Sequence, residues 1–148
     1  WIDRPGTLVA VLLHDAVYVP GAPDNEARSA ELARGWCTRF APKADYRRVE
    51  HLVLLTASHG KITAAEVDAE AARFLDCDMA ILASSPERFE RYGEQIRAEY
   101  ASLPDDVFEA GRQAFLHGLL GRPIFLSPLL AERFEARARA NIEHALSG

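Results

Sequence analysis

Cysteine and basic residues are scarce in this sequence, and each shortage removes a class of protein. The two cysteines, Cys37 and Cys77, stand far apart with no CxxC pair and no neighbouring Cys/His combination. Zinc-finger and thioredoxin-type arrangements are thereby excluded, and free thiols in a reducing, cytoplasmic setting are expected. Seventeen basic residues against 22 acidic ones give a net charge of −5, with the two signs interspersed along the chain. Binding a nucleic-acid polymer by bulk electrostatics needs the opposite balance. Long hydrophobic runs are missing too, since the longest, Thr7 to Leu13, falls far below the roughly 18 to 20 residues that cross a bilayer. No membrane partner is expected. The first residue is Trp1, with neither a basic segment nor a small-residue cleavage site behind it, so no secretory signal is read and an N-terminal segment is expected to be missing.

The chain has 148 residues, 49% of them hydrophobic and 26% charged, which suits one domain over residues 1–148. Sustained in/out alternation is absent, while apolar residues recur at three- and four-residue steps between turn signals, so the fold class expected is all-α. Leu8, Val9, Leu12, Leu13, Ala16 and Val17 predict a mostly buried first helix, stopped by Pro20-Gly21-Ala22-Pro23. Asp24 or Asn25 is placed to cap a second, with Ala30, Ala33, Trp36, Cys37 and Phe40 inward and Pro42 at its end. A third runs from about Lys43 to Ser58, with Tyr46, Val49, Leu52, Val53 and Thr56 inward, Arg47, Arg48 and Glu50 mostly outward, and Gly60 behind it. Ala65 to Leu82 predicts a fourth. The S-x-x-E pattern of Ser84-Ser85-Pro86-Glu87 reads as a capping box opening a helix to about Ala101. Val107 to Leu120 and Arg133 to Leu146 complete the series, the last with Phe134, Ala138, Ile142 and Ala145 on one stripe. The apolar stretches Leu116–Leu120 and Phe125–Leu130 are left to close either the core or a homodimer.

Chemistry concentrates at a few positions. His14 and Asp15 stand side by side in the most hydrophobic segment, where an imidazole and a carboxylate are expensive to bury without partners. Neighbours on a helix point about 100° apart, so both reach one ion only if it sits off the helix edge and other ligands arrive from elsewhere. Taken alone, the pair also fits hydrogen-bonded core residues or a helix-end feature. Asp76 and Asp78 lie in another apolar segment, about 200° apart on a helix, so at most one faces a given interior site. The flanking stripe of Phe74, Ile81 and Leu82 favours Asp78, leaving Asp76 as a supporting or solvated residue. His59 falls in the last turn of the third helix, where a histidine serves the free carbonyls, a second metal or a phosphate. Glu26, in the Asp24-Asn25-Glu26 cap with Ser29, is close enough in sequence to hydrogen-bond a ligand.

The order of these residues resembles the HD superfamily of metal-dependent phosphohydrolases. More narrowly, His14-Asp15-Ala16-Val17-Tyr18, Asp24-Asn25-Glu26 with Ser29-Ala30, Phe74-Leu75-Asp76-x-Asp78 and Ala138-Arg139-Ala140-Asn141-Ile142 are similar to a bacterial branch of that superfamily, over essentially the whole chain. The resemblance implies an HD-like bundle of about six to eight helices lacking its N-terminal helix. It implies metal ligation by His14, Asp15 and Asp78. The family's further, upstream histidine has no counterpart here. Asp15, His59 and Glu26 become the candidate catalytic groups, and Lys61, Arg112 and Arg122, near helix ends or turns, the candidates for balancing substrate charge. Imidazole with carboxylates suits a divalent ion such as Mn, Fe, Co, Ni, Mg or Zn. Such an ion polarises a phosphoryl oxygen and activates water, so the implied function is hydrolysis of a small phosphomonoester or nucleotide. The alternative is a non-catalytic ligand-binding or interaction module on the same scaffold, with a degenerate or incomplete metal site.

Overall fold

Seven α-helices and one 3-10 turn make up the computed structural model, which describes residues 1–147 and contains no strand among them. In chain order these are α1 (Arg4–Leu13), α2 (Asn25–Phe40), α3 (Tyr46–Thr56), α4 (Ala69–Asp78), the 3-10 turn Met79–Ala83, α5 (Pro86–Glu99), α6 (Asp105–Leu120) and α7 (Pro128–Ser147). The all-α expectation and its helix number hold. No helix among the described residues is long and apolar enough to cross a membrane.

Two apolar clusters organise the chain. The first joins α1–α4 through Val9, Ala10, Ala30, Ala33, Cys37, Val49, Leu52, Val53, Phe74 and Leu75. Ala10, Ala30 and Ala33 are almost fully buried, and their small side chains let α1 and α2 lie close together. The second joins the 3-10 turn to α5, α6 and α7 through Met79, Leu82, Phe89, Leu116, Leu119, Ile124, Phe125, Ala138 and Ile142. The stretches Leu116–Leu120 and Phe125–Leu130 therefore close a core, leaving Leu129 outward at 70% exposure. The end of α4 is the seam between the two clusters, and Asp76 and Asp78 sit on it.

Several boundaries differ from the sequence expectation, each for a local reason. Helix α1 starts at Arg4, where Asp3 accepts the Gly6 N–H at 3.2 Å, and ends at Leu13 instead of running to Val17. The Val17 N–H is taken by the Ser29 hydroxyl at 3.0 Å, which leads the chain out of the helix. Nor is α1 mostly buried, because Leu8, Val11 and Leu12 face outward. Trp36, Phe40 and Tyr46, expected inward, are likewise exposed, as is Ala145. Helix α4 begins at Ala69 instead of Ala65 because the Asp68 carboxylate caps it, accepting from the N–H groups of Glu70 and Ala71. The capping box at Ser84 is not formed. Ser85 is the N-cap and its hydroxyl makes no cap bond, while Asn141 of α7 donates to the carbonyls of Leu82 and Ser84.

Arg48 is also not an outward residue. Its guanidinium donates to Asp68 at 2.6 Å and to Glu70 at 3.1 Å, and the Glu70 carboxylate is only 1% exposed. Glu70 in turn accepts the Ile2 N–H at 2.6 Å, so one charge network ties the start of α1 to α3 and α4. The Arg48 hydrogen bond, together with the cap bonds, holds the Asp68 carboxyl down at about 2.

Candidate metal centre

The end of α1 carries His14 at its C-cap position, where the ring Nδ1 lies 3.0 Å from the Val11 carbonyl. That carbonyl accepts the Nδ1–H and fixes the ring with Nε2 pointing away from the helix. Phe74 of α4 packs edge-on against the ring, with centroids 6.1 Å apart at 82°. Nε2 is thereby aimed at Asp78 Oδ1, 3.3 Å away, and at Asp15 Oδ2, 3.4 Å away. One donor atom from each of His14, Asp15 and Asp78 lies within 4.8 Å of the others.

The two aspartates leave α4 on different sides, as their separation of about 200° requires. Asp78 turns toward His14, while Asp76, on the other side of α4, is 1% exposed and accepts the Leu126 N–H at 2.6 Å, the Ser127 N–H at 2.8 Å and the Ser127 hydroxyl. Asp76 is not solvated. It anchors the segment that leads into α7, and so stitches α4 to the second cluster.

His59 follows α3 in a turn that Gly60 makes possible. Gly60 has φ +69, and a Cβ there would stand 2.9 Å from a Leu119 methyl carbon, so this turn needs glycine on both counts. The His59 Nδ1 is 3.0 Å from Asp78 Oδ2, the oxygen that His14 does not use. Its Nε2 is buried without a partner, beside a small inner cavity lined by Asp76, Met79 and Leu126. His59 therefore stands behind Asp78 as a positioning residue and does not join the three clustered donors. Glu26 makes no hydrogen bond to any of them and lies half-buried in the first turn of α2. Its neighbours carry the structural load. Asn25 both donates to the Val19 carbonyl and accepts the Val19 N–H at 2.9 Å, and Ser29 does the same for Val17. The Asp24-Asn25-Glu26 and Ser29 motif thus holds the loop that carries His14 and Asp15, which a capping role did not foretell.

A cleft of about 450 Å³ opens beside the cluster, lined among others by Val11, His14, Phe74, Asp78, Ser84 and Arg88. Lys61, Arg112 and Arg122 do not line it. The basic side chain that does is Arg88, in the first turn of α5, which nothing in the sequence pattern distinguished from other exposed arginines. Asp15 does not line the cleft either; its side chain is 62% exposed beside the His14 ring.

The electrostatics favour a charged imidazole between two carboxylates. The Asp78 hydrogen bond, against some cost of burial and with help from the Asp15 charge, raises the His14 imidazole to about 9. Burial opposes ionisation of Asp78, but the hydrogen bonds from His14 and His59 outweigh it and hold its carboxyl well below the usual carboxylate range. Comparison with protein-family models, with curated proteins and with solved structures gave no match. Donor geometry alone therefore speaks for the site. Ligands about 2.1 Å from a tetrahedral ion lie roughly 3.4 Å apart, and His14 Nε2 is 3.3 and 3.4 Å from the two carboxylate oxygens. One imidazole with an anchored Nδ1–H and two carboxylates is a donor set that fits a divalent cation and leaves positions open.

Proposed function

We propose that this chain is a metal-dependent phosphohydrolase of the HD kind acting on a small phosphomonoester. The observation that carries it is the cluster of His14 Nε2, Asp15 and Asp78, two of which, His14 and Asp78, line a cleft that Arg88 also lines. His14, Asp15 and Asp78 would hold the ion. When bound, a divalent ion supplies positive charge that polarises a phosphoryl oxygen and makes water more acidic. Arg88 presents a second positive group to the phosphate from across the cleft, at the N-terminal end of α5, where the helix dipole favours an anion as well. Asp15, the most exposed carboxylate of the cluster, orients the attacking water and receives its proton. His59 keeps Asp78 from rotating, and Asn25 with Ser29 keeps the His14–Asp15 loop in register with α4.

A second reading, a non-catalytic binding module, is favoured by one feature. With His14 protonated, Asp15, His14 and Asp78 form a chain of ion pairs that balances itself without a metal, and His59 Nδ1 contacts the second Asp78 oxygen. The two readings part in one experiment: phosphate release from a panel of phosphomonoesters with Mn, Co, Ni, Mg or Zn added singly, for the wild type and Asp78→Asn. Metal-dependent release that Asp78→Asn abolishes supports the hydrolase. Stoichiometric metal binding without release from any ester supports the binding module instead.

A further inference from the structure

Helix α5 carries Arg88, Tyr92 and Ile96 at four-residue spacing, one stripe with each residue about 6 Å along the axis from the last, and Tyr100 follows at its C-cap. Arg88 lines the cleft of His14 and Asp78. The next three line a second cavity, of about 320 Å³, closed from α6 by Phe108, Gly111 and Arg112. The two hollows therefore succeed one another along a single helix face. Tyr92, one turn along from Arg88, lines the second hollow and not the first. Burial raises its phenol above the ordinary value, the charges of Asp78 and Asp15 add to this, and Arg112, whose guanidinium lies 6.0 Å from the ring centroid, opposes it. The loop that begins with His14 and Asp15 reaches the far end of the same cavity, where the Tyr18 hydroxyl donates to the Tyr100 hydroxyl at 3.4 Å. Helices α5 and α6 do not pack their backbones closely, and the gap between them is walled by aromatic rings.

We propose that this cavity is the subsite for the organic part of the substrate, a phosphomonoester whose leaving alcohol carries a flat aromatic ring. The ring lies in this aromatic-lined hollow while the phosphate reaches His14, Asp15, Asp78 and Arg88. Edge and face contacts with tyrosine and phenylalanine rings suit such a group. A sugar or polyol finds only the Tyr92 and Tyr100 hydroxyls and Arg112 as polar partners, so most of its hydroxyls would lose water without replacement. In the reaction the P–O bond to the leaving alcohol breaks and the oxygen of water bonds to phosphorus. One proton of that water passes by way of Asp15 to the leaving oxygen and the other stays with the phosphate, so Asp15 is returned ionised. The assignment rests on the phosphohydrolase reading for its chemistry, but its binding part can be tested apart from turnover.

The experiment compares benzyl phosphate with ethyl phosphate, whose leaving alcohols differ little in acidity, so that a preference reports binding of the ring. The wild type should favour the benzyl ester at least tenfold in kcat/KM. A Cβ at Gly111 meets nothing within 4 Å and its φ is ordinary, so Gly111→Leu should fold and fill the cavity, bringing the benzyl-to-ethyl ratio toward one. Gly118→Leu, equally open and on the same helix but outside the cavity, should keep the wild-type ratio. The uncleavable benzylphosphonate, titrated calorimetrically into Mn-loaded protein, supplies the second readout, with binding weakened at least tenfold by Gly111→Leu alone. Turnover of both esters with equal kcat/KM, or a ratio that Gly111→Leu leaves intact, overturns the subsite while the hydrolase reading stands. No turnover, but ring-selective phosphonate binding that Gly111→Leu abolishes, keeps the subsite and overturns the hydrolase.

Discussion

Raising the pH from 6.5 to about 9 should lower the stability of the metal-free protein and, on the proposed reading of the site, strengthen metal binding, because both changes follow loss of the His14 proton. The imidazole goes from 6.5 to about 9 on folding, chiefly through its hydrogen bond to Asp78. A group whose folded value is raised contributes stability that is complete below the unfolded value and lost as pH climbs through the folded one. Each pH unit of separation corresponds to about 1.4 kcal/mol, so the metal-free protein should lose about 3 kcal/mol between pH 6.5 and 9. The lowered Asp78 carboxyl reflects the same contact seen from its partner, and is counted once. Its own contribution is present above the usual carboxylate range and is lost only in acid. A metal must displace the His14 proton, so its apparent affinity should rise about tenfold per pH unit from 7 to 9 and level off above. At pH 7 that amounts to roughly a hundredfold handicap. Urea unfolding of chelator-treated protein at a series of pH values gives the first quantity, and Mn titration calorimetry gives the second. A flat stability between pH 6.5 and 9, or metal affinity independent of pH, would refute the proton-for-cation picture.

Three substitutions, set beside three controls, separate the roles of Asp76, His59 and Arg88. Asp76→Ala strips the acceptor from two backbone N–H groups and a hydroxyl in a buried setting, and should cost about 3 kcal/mol or more in urea unfolding. Exposed Cys77→Ser beside it should change unfolding by less than about 0.5 kcal/mol. His59→Gln loses the Asp78 Oδ2 contact in its present form, and should weaken metal binding about 10- to 100-fold in calorimetry with the circular dichroism spectrum unchanged. Arg88→Ala should lower kcat/KM for phosphomonoesters about tenfold or more in steady-state assays, whereas Lys61→Ala and Arg122→Ala, outside the cleft, should leave it within twofold.

The helices were legible because the apolar period of Val49, Leu52, Val53 and Thr56, or of Ala138 and Ile142, is a property of each segment alone. Their ends were less so, since contacts from distant residues decide them. Ser29 ends α1 by taking a proton donor twelve residues back in the chain, and no window around Val17 contains that information. The same limit governs the charged residues. Arg48 looks like a solvated arginine until Glu70 is folded against it, and Ser84 to Glu87 has the letters of a capping box while the backbone starts the helix one residue later. Asp76 and Asp78 were separable in advance because two residues on one helix carry a fixed angle between them. Which of them met His14, and that the other would hold the approach to α7, depended on two clusters packing on either side of α4. Arg88 left no trace in the sequence, for an exposed arginine in a first helical turn has no pattern of its own.

Metal content per chain reports, without any assay of turnover, whether His14, Asp15 and Asp78 hold one divalent cation. Wild type, Asp15→Ala and Asp78→Asn, dialysed at pH 8 against a mixture of Mn, Fe, Co, Ni and Zn and then freed of loose metal, would be measured by inductively coupled plasma mass spectrometry. About one metal per wild-type chain and almost none in either variant is the predicted result. Equal metal in all three, or none in a wild type whose folding is confirmed by circular dichroism, would contradict it.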